Sequence, residues 1–180
     1  PKVAVYDDIR GWDMISYNAE HEFYFDYSDM NVEIKVPKGF GIWATGMLQN
    51  PDEVLNDVFL KRYNESLSSD KLVNIVAKED SSKEIYKHQN GYTTFEYSAK
   101  NISDFAFGMS DFYLWDGTSI ELESGKRVAC FSAYNPSSEF FSQAATMAKR
   151  TIEFFSKQMP AVFYPYPQIT VFNGDGGMEF

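Results

Sequence analysis

Residues 31–36, NVEIKV, set Val32, Ile34 and Val36 in strict alternation with Asn31, Glu33 and Lys35. A period of two marks a strand with one face in a core and the other in water. Pro37-Lys38-Gly39 then reads as a turn, and 41–48 as the return strand. Further strands are expected over 72–77, 92–99, 104–108, 119–122 and 127–134, with Ser124-Gly125-Lys126 as a hairpin turn. Shorter extended pieces, 2–6 and 22–25, lie in a loop-rich aromatic start, and the polar stretch 78–90 reads as an exposed connection. The aromatic content agrees with a β-rich core. With 16 Phe and 12 Tyr, the chain can bury enough area to offset the entropy of ordering, which excludes disorder.

Two helices interrupt the pattern. Asn50-Pro51-Asp52-Glu53 offers an N-cap, a proline at the first position and acids in the first turn. Val54, Leu55, Val58 and Phe59 form its apolar stripe, and the helix should fade near 66–69. After Tyr134 the register changes. Asn135-Pro136-Ser137-Ser138 caps an amphipathic helix over 139–157, with Phe140, Phe141, Ala144, Ala148, Ile152 and Phe155 on one face. The prolines exclude a helix from Phe163-Tyr164-Pro165-Tyr166-Pro167; a short apolar strand over 168–172 and a Gly-rich turn into a final strand follow. The expectation is an α+β fold: a mostly antiparallel β domain over 1–134, then the start of an α/β domain over 135–180.

The formal charge of −10 would repel phosphate backbones and anionic lipid, so nucleic acid and membrane surfaces are poor candidate partners. No apolar run reaches the length of a membrane span, and PKVAVYDDIRGW lacks the regions of a signal peptide. Pro1 at the start and GDGGMEF at the end both read as cut, so a fragment is expected and its compartment stays open. Cys130 is the single cysteine, which rules out an intrachain disulfide.

Residues that could carry chemistry are few. His21-Glu22 suggests half of a zinc-binding H-E-x-x-H, but Phe25 stands where the second histidine would be. His88 lies far away in the polar connection, so no metal site is expected in this stretch. Cys130, between Ala129 and Phe131, reads as a buried inert thiol. The serines at 66, 68, 69, 137 and 138 read as helix ends and caps, without a nucleophile elbow. Asp7-Asp8, Asp26 with Asp29, and Glu79-Asp80 are acid pairs of the kind a glycosidase needs, yet solvated surface explains them in so acidic a chain. A sugar-binding face would have to draw on Trp12, Trp43 or Trp115, against a pattern that sends most aromatics to the core.

The last residues differ. In Asp175-Gly176-Gly177-Met178-Glu179-Phe180 two glycines precede an apolar residue and a carboxylate on an expected strand. Glycines allow a second backbone to approach, and a carboxylate at a sheet edge suits a peptide's terminal ammonium. A turn followed by a strand accounts for the spacing equally well.

Taken together, Phe163-Tyr164-Pro165-Tyr166-Pro167-Gln168-Ile169-Thr170-Val171 and then Gly176-Gly177-Met178-Glu179 resemble the entry to the catalytic domain of zinc aminopeptidases related to aminopeptidase N. In that family a Gly-x-Met-Glu-Asn motif precedes the helix that bears H-E-x-x-H. NVEIKVP at 31–37, ATGMLQN at 44–50 and the 94–107 run with its NISDFAF are similar to pieces of the family's N-terminal saddle-shaped β domain. The resemblance implies that 1–134 is part of that saddle domain and that 135–180 opens a thermolysin-like catalytic domain. It implies peptide substrates, with Glu179 binding the free α-amino group and Gly176, Gly177 and Met178 offering backbone to the peptide. It also implies zinc in the parent protein but none bound by this stretch, with the ligands and the remaining catalytic domain beyond Phe180. A periplasmic, secreted or cell-surface parent is compatible with it. Phe180 departs from the family's Asn, which leaves room for a degenerate member: a non-catalytic β-rich binding module.

Overall fold

A computed structural model describes residues 6–12 and 27–174. The fold is α+β, mostly strands in antiparallel sheets. β1 (Tyr6–Asp7) and β2 (Gly11–Trp12) form a small ribbon. β3 (Ser28–Pro37) carries the alternating run, and its burial follows the pleat: Val36 is 4% exposed while Asn31, Glu33 and Lys35 face solvent. β4 (Gly41–Ala44) and β5 (Met47–Leu48) follow.

These two short strands do not return along β3. β4 pairs with β8 (Phe107–Ser110), whereas β5 joins a sheet ordered β3-β7-β5 around β7 (Tyr92–Ile102). Gly46 separates them at φ +87, where a Cβ would collide with the Ser98 carbonyl oxygen, so only glycine lets the chain leave one sheet for the other here.

The expected single helix after Asn50 is two: α1 (Pro51–Val54) and α2 (Asp57–Ser66). Leu55 between them is extended, at φ −102 and ψ 135, and bridges to Tyr86. The break rotates Val58 out to 53% exposure and points Phe59 and Tyr63 inward. Asn50 makes no cap. Its Nδ2 donates to the Thr94 carbonyl at 3.0 Å and its Oδ1 accepts from the Glu96 N–H at 3.0 Å, which ties α1 to β7.

The second sheet is ordered β11-β10-β9-β6, from β6 (Val73–Val76), β9 (Leu114–Glu121), β10 (Arg127–Tyr134) and β11 (Gln168–Phe172). β10 and β11 run parallel, with α3 (Ala144–Lys157) as the crossover. The residues on either side of Asn135 thus build one layer. Both faces of that layer are covered. Trp115, Ala129, Phe131 and Ala133 join the main core, with Trp43, Leu55, Phe59, Tyr63, Ile75, Phe95 and Tyr97. Ile120, Val128 and Cys130 point the other way, onto Ala148 and Ile152 of α3.

The long C-terminal helix also departs from expectation. Residues Glu139–Gln143 form a 3-10 turn, and the buried residues of α3 are Ala145, Ala148, Ile152 and Ser156. Phe140 and Phe155, assigned to the apolar face by sequence, are 89% and 49% exposed. Small residues let the helix lie close on the sheet, which turns the large aromatics outward. No helix among the described residues is long and apolar enough to cross a membrane.

Candidate functional site

A cleft of about 830 Å³ opens where β11 meets the β4–β8 ribbon and the end of β7. Its floor is aromatic. The Phe172 ring lies 5.9 Å from Trp43 and 5.2 Å from Tyr113, and a Cβ at Gly108 would meet the Phe172 ring at 2.6 Å. Glycine at that point of β8 therefore leaves room for the ring. The proline-rich run ahead of β11 forms one wall, held at several points. Tyr166 Oη donates to the Asn101 carbonyl at 3.1 Å, Tyr164 Oη to the Gln168 carbonyl at 3.3 Å, and Lys126 Nζ to the Pro165 carbonyl. Beyond β11, Tyr113 Oη donates to the Asn173 carbonyl at 2.6 Å. Gln168 is 9% exposed, and its amide reaches across to the Ala44 carbonyl at 3.4 Å.

An apolar cleft with a few convergent polar groups has the form of a ligand site.

The sequence-derived site residues Gly176, Gly177, Met178 and Glu179 lie outside the described residues, as do His21 and Glu22. His88 sits with its Nε2 3.3 Å from Glu84 Oε1, a partly exposed pair. Among the described residues no three His, Cys, Asp or Glu side chains gather as a metal would require. Trp43 and Trp115 are 4% and 5% exposed and stacked into the core, while Trp12 stands at 62% exposure on the small ribbon. No row of tryptophans faces solvent among the described residues.

Cys130 is fully buried under α3, where burial pushes its thiol up to about 12 against a weaker opposite pull from Lys149. A thiol-disulfide reagent is expected to leave the folded chain unmodified and to label one thiol once denaturant unfolds it. Labelling of the native chain at the rate of a small thiol would mean that α3 lifts from the sheet.

Two buried carboxylates escaped the sequence reading. Asp80, expected at the surface, is fully buried. It accepts from Arg62 Nη1 at 2.5 Å, Lys83 Nζ at 2.7 Å and the Ala77 N–H at 2.9 Å. Burial pushes its pKa up, but these donors outweigh burial and hold it at about 2. Asp116, 1% exposed, accepts from Asn74 Nδ2 at 2.6 Å and Tyr134 Oη at 2.7 Å. Here burial prevails over both hydrogen bonds and raises the carboxyl above its ordinary value. Neither acid lines the cleft. Asp80 joins α2 to the end of β6, and Asp116 binds β6, β9 and β10 together. Asn74, two positions from Val76 on β6, and Tyr134, at the end of β10, were the available signal for the second group.

Comparison with protein families, with characterised proteins and with solved structures gave no match.

Proposed function

We propose that the chain is the stretch of a zinc aminopeptidase, similar to aminopeptidase N, that runs from a saddle-like β domain into a thermolysin-like catalytic domain. The observation that carries this reading is the order FYPYPQITV at 163–171, then GGME at 176–179. An antiparallel β region followed by a helix–strand unit supports it, and β11 ends at Phe172, shortly before Gly176 in the sequence. Met147, Phe154 and Phe155 are exposed on α3, which suits a helix that a further layer of the parent protein covers.

In this reading the metal chemistry belongs to sequence that follows Phe180 in the parent, and residues 1–180 hydrolyse nothing alone. The role of this stretch is recognition. Glu179 takes the free α-ammonium of a peptide, and Gly176, Gly177 and Met178 present backbone to it.

The test uses the parent reading frame extended past Phe180. Glu179→Ala is expected to lower kcat/KM for an unblocked aminoacyl substrate about 10- to 100-fold, since an ion-assisted hydrogen bond contributes about 1.5–3 kcal/mol. The thermal midpoint should not move. Unchanged activity with a lowered midpoint would make Glu179 a structural residue. An extended frame without H-E-x-x-H would favour the second reading, a non-catalytic binding module, for which the aromatic cleft is the supporting observation.

A further inference from the structure

A second cleft, of about 610 Å³, lies where the chain leaves β6 and enters β9. Val76, the last residue of β6, pairs with Trp115, the second of β9, so the two strands run side by side to that point and part beyond it. One wall comes from the segment between Ala77 and Tyr86, the facing wall from the segment between Asp111 and Leu114, and the turn at Lys38-Gly39 contributes a third side. The volume falls within the range of small-molecule sites.

Most charges around this cleft cancel in pairs. Lys83 Nζ donates to Asp80 Oδ1 at 2.7 Å, and Lys38 Nζ lies 3.4 Å from Glu84 Oε1. Two lining charges of opposite sign are left over. Lys78, on the wall that leaves β6, and Asp111, on the wall that enters β9, form no ion pair among the described residues.

A neutral group is left over as well. Tyr86 lines the cleft at 5% exposure, and its hydroxyl lies against the start of β4, where a Cβ at Gly41 would collide with it. That hydroxyl has no hydrogen-bond partner among the described residues. Buried polar groups are ordinarily paired, so this one offers a ligand a directional hydrogen bond. Phe112 adds an apolar face: it lines the same cleft at 57% exposure, with its ring edge-on to Tyr113 at 5.2 Å.

We propose that this cleft binds a free α-amino acid with an aromatic or large aliphatic side chain. Lys78 takes the carboxylate, Asp111 takes the ammonium, the Tyr86 hydroxyl donates to a carboxylate oxygen, and Phe112 packs against the side chain. A simple anion would leave Asp111 unanswered and a simple cation would leave Lys78 so, whereas a zwitterion pairs both walls at once. The site is separate from the amine recognition proposed for Glu179, because it reads both charges of one small molecule and needs no peptide.

The probe is L-phenylalanine, titrated calorimetrically into the 180-residue chain beside two analogues with the same ring. 3-Phenylpropionate lacks the ammonium, and 2-phenylethylamine lacks the carboxylate. Phenylalanine is expected to bind, and each analogue to bind about tenfold more weakly or worse. Lys78→Gln should weaken phenylalanine by a similar factor and leave 2-phenylethylamine unchanged. Asp111→Asn should weaken phenylalanine and spare 3-phenylpropionate. Both side chains are exposed, so neither change is expected to disturb the fold.

No binding of phenylalanine, or equal binding of all three compounds, overturns the proposal. So does 3-phenylpropionate binding as tightly as phenylalanine, which would make the cleft a site for anions alone. A loss in Lys78→Gln that is the same for phenylalanine and 2-phenylethylamine also overturns it, because the lysine would then act on the cleft's shape and not on the carboxylate. Because binding is read without catalysis, failure here leaves the aminopeptidase reading standing, and an inactive extended frame leaves this one standing.

Discussion

Trp115→Ala is expected to destabilise the chain by about 4 kcal/mol, the middle of the range for removing a large aromatic from a core. Trp115 is 5% exposed, with ring centroids of Tyr63 at 5.4 Å, Phe131 at 5.7 Å and Trp43 at 6.0 Å. Those three rings come from α2, β10 and β4, so the cavity would open where helix and both sheets meet. Neighbours from three elements cannot all relax into it, which keeps the cost high. The indole N–H is buried with no protein partner among the described residues. An unpaired buried donor costs about 1–3 kcal/mol. Trp115→Phe loses area but relieves that group, and should cost less than about 1.5 kcal/mol on the same physical account. Urea unfolding of both variants, with unchanged m-values, checks the pair. Equal losses for Phe and Ala would show that the indole N–H has a partner, and a loss below about 2 kcal/mol for Ala would mean that the site collapses.

What could be read from the sequence depended on how many faces each element buries. β3 has one wet face, and its alternation located it directly. β9 is buried on both sides, so LWDGTSIE carries no alternation, and the expected strand began at Ser119 rather than Leu114. Asp116 in the middle of that run looks like a loop residue until its partners Asn74 and Tyr134 are brought beside it by β6 and β10. The same holds for Asn50. Its place before Pro51 satisfies every local rule for a cap, yet Thr94 and Glu96 of β7 claim its side chain. Local signals located 168–172 and the turn at 124–126, where chain neighbours decide the outcome. Pairing partners were out of reach, because β3 finds β7 across most of the β region rather than the segment that follows it.

The cleft shows the same division. Prolines at 165 and 167 and the apolar strand after them were visible as an extended segment. That it would line a cleft together with β4 and β8 followed only from the crossing of those two strands over the end of the second sheet. Burial of Asp80 was illegible for a related reason. Lys78-Glu79-Asp80 reads as solvated charge, and only α2 and the turn to Lys83 supply the cations that make burial tolerable.

Asp80→Ala is expected to cost about 3 kcal/mol at neutral pH. The carboxylate is fully buried while Arg62 and Lys83 keep 28% and 51% side-chain exposure, so both cations can turn to water once the acid is gone. That relaxation holds the loss to the lower end of what breaking a buried ion pair costs. The Ala77 N–H and the Arg62 tie to the Ile75 carbonyl at 3.2 Å would lose their shared anchor. The pH dependence separates charge from packing. Asp80 is held at about 2 in the folded chain against an ordinary value of 3.8. A carboxyl depressed on folding contributes stability that is fully present above its unfolded pKa and is lost as pH falls through the folded one. The contribution, about 2 kcal/mol on that shift, should therefore be intact at pH 6 and fade between about pH 4 and 2. The difference in stability between the parent chain and Asp80→Ala should narrow by that amount over the same window, measured by urea unfolding at stepped pH. A difference that stays constant down to pH 2 would assign the loss to the missing hydrogen-bond anchor rather than to charge, and Asp80→Asn would then retain most of the parent's stability.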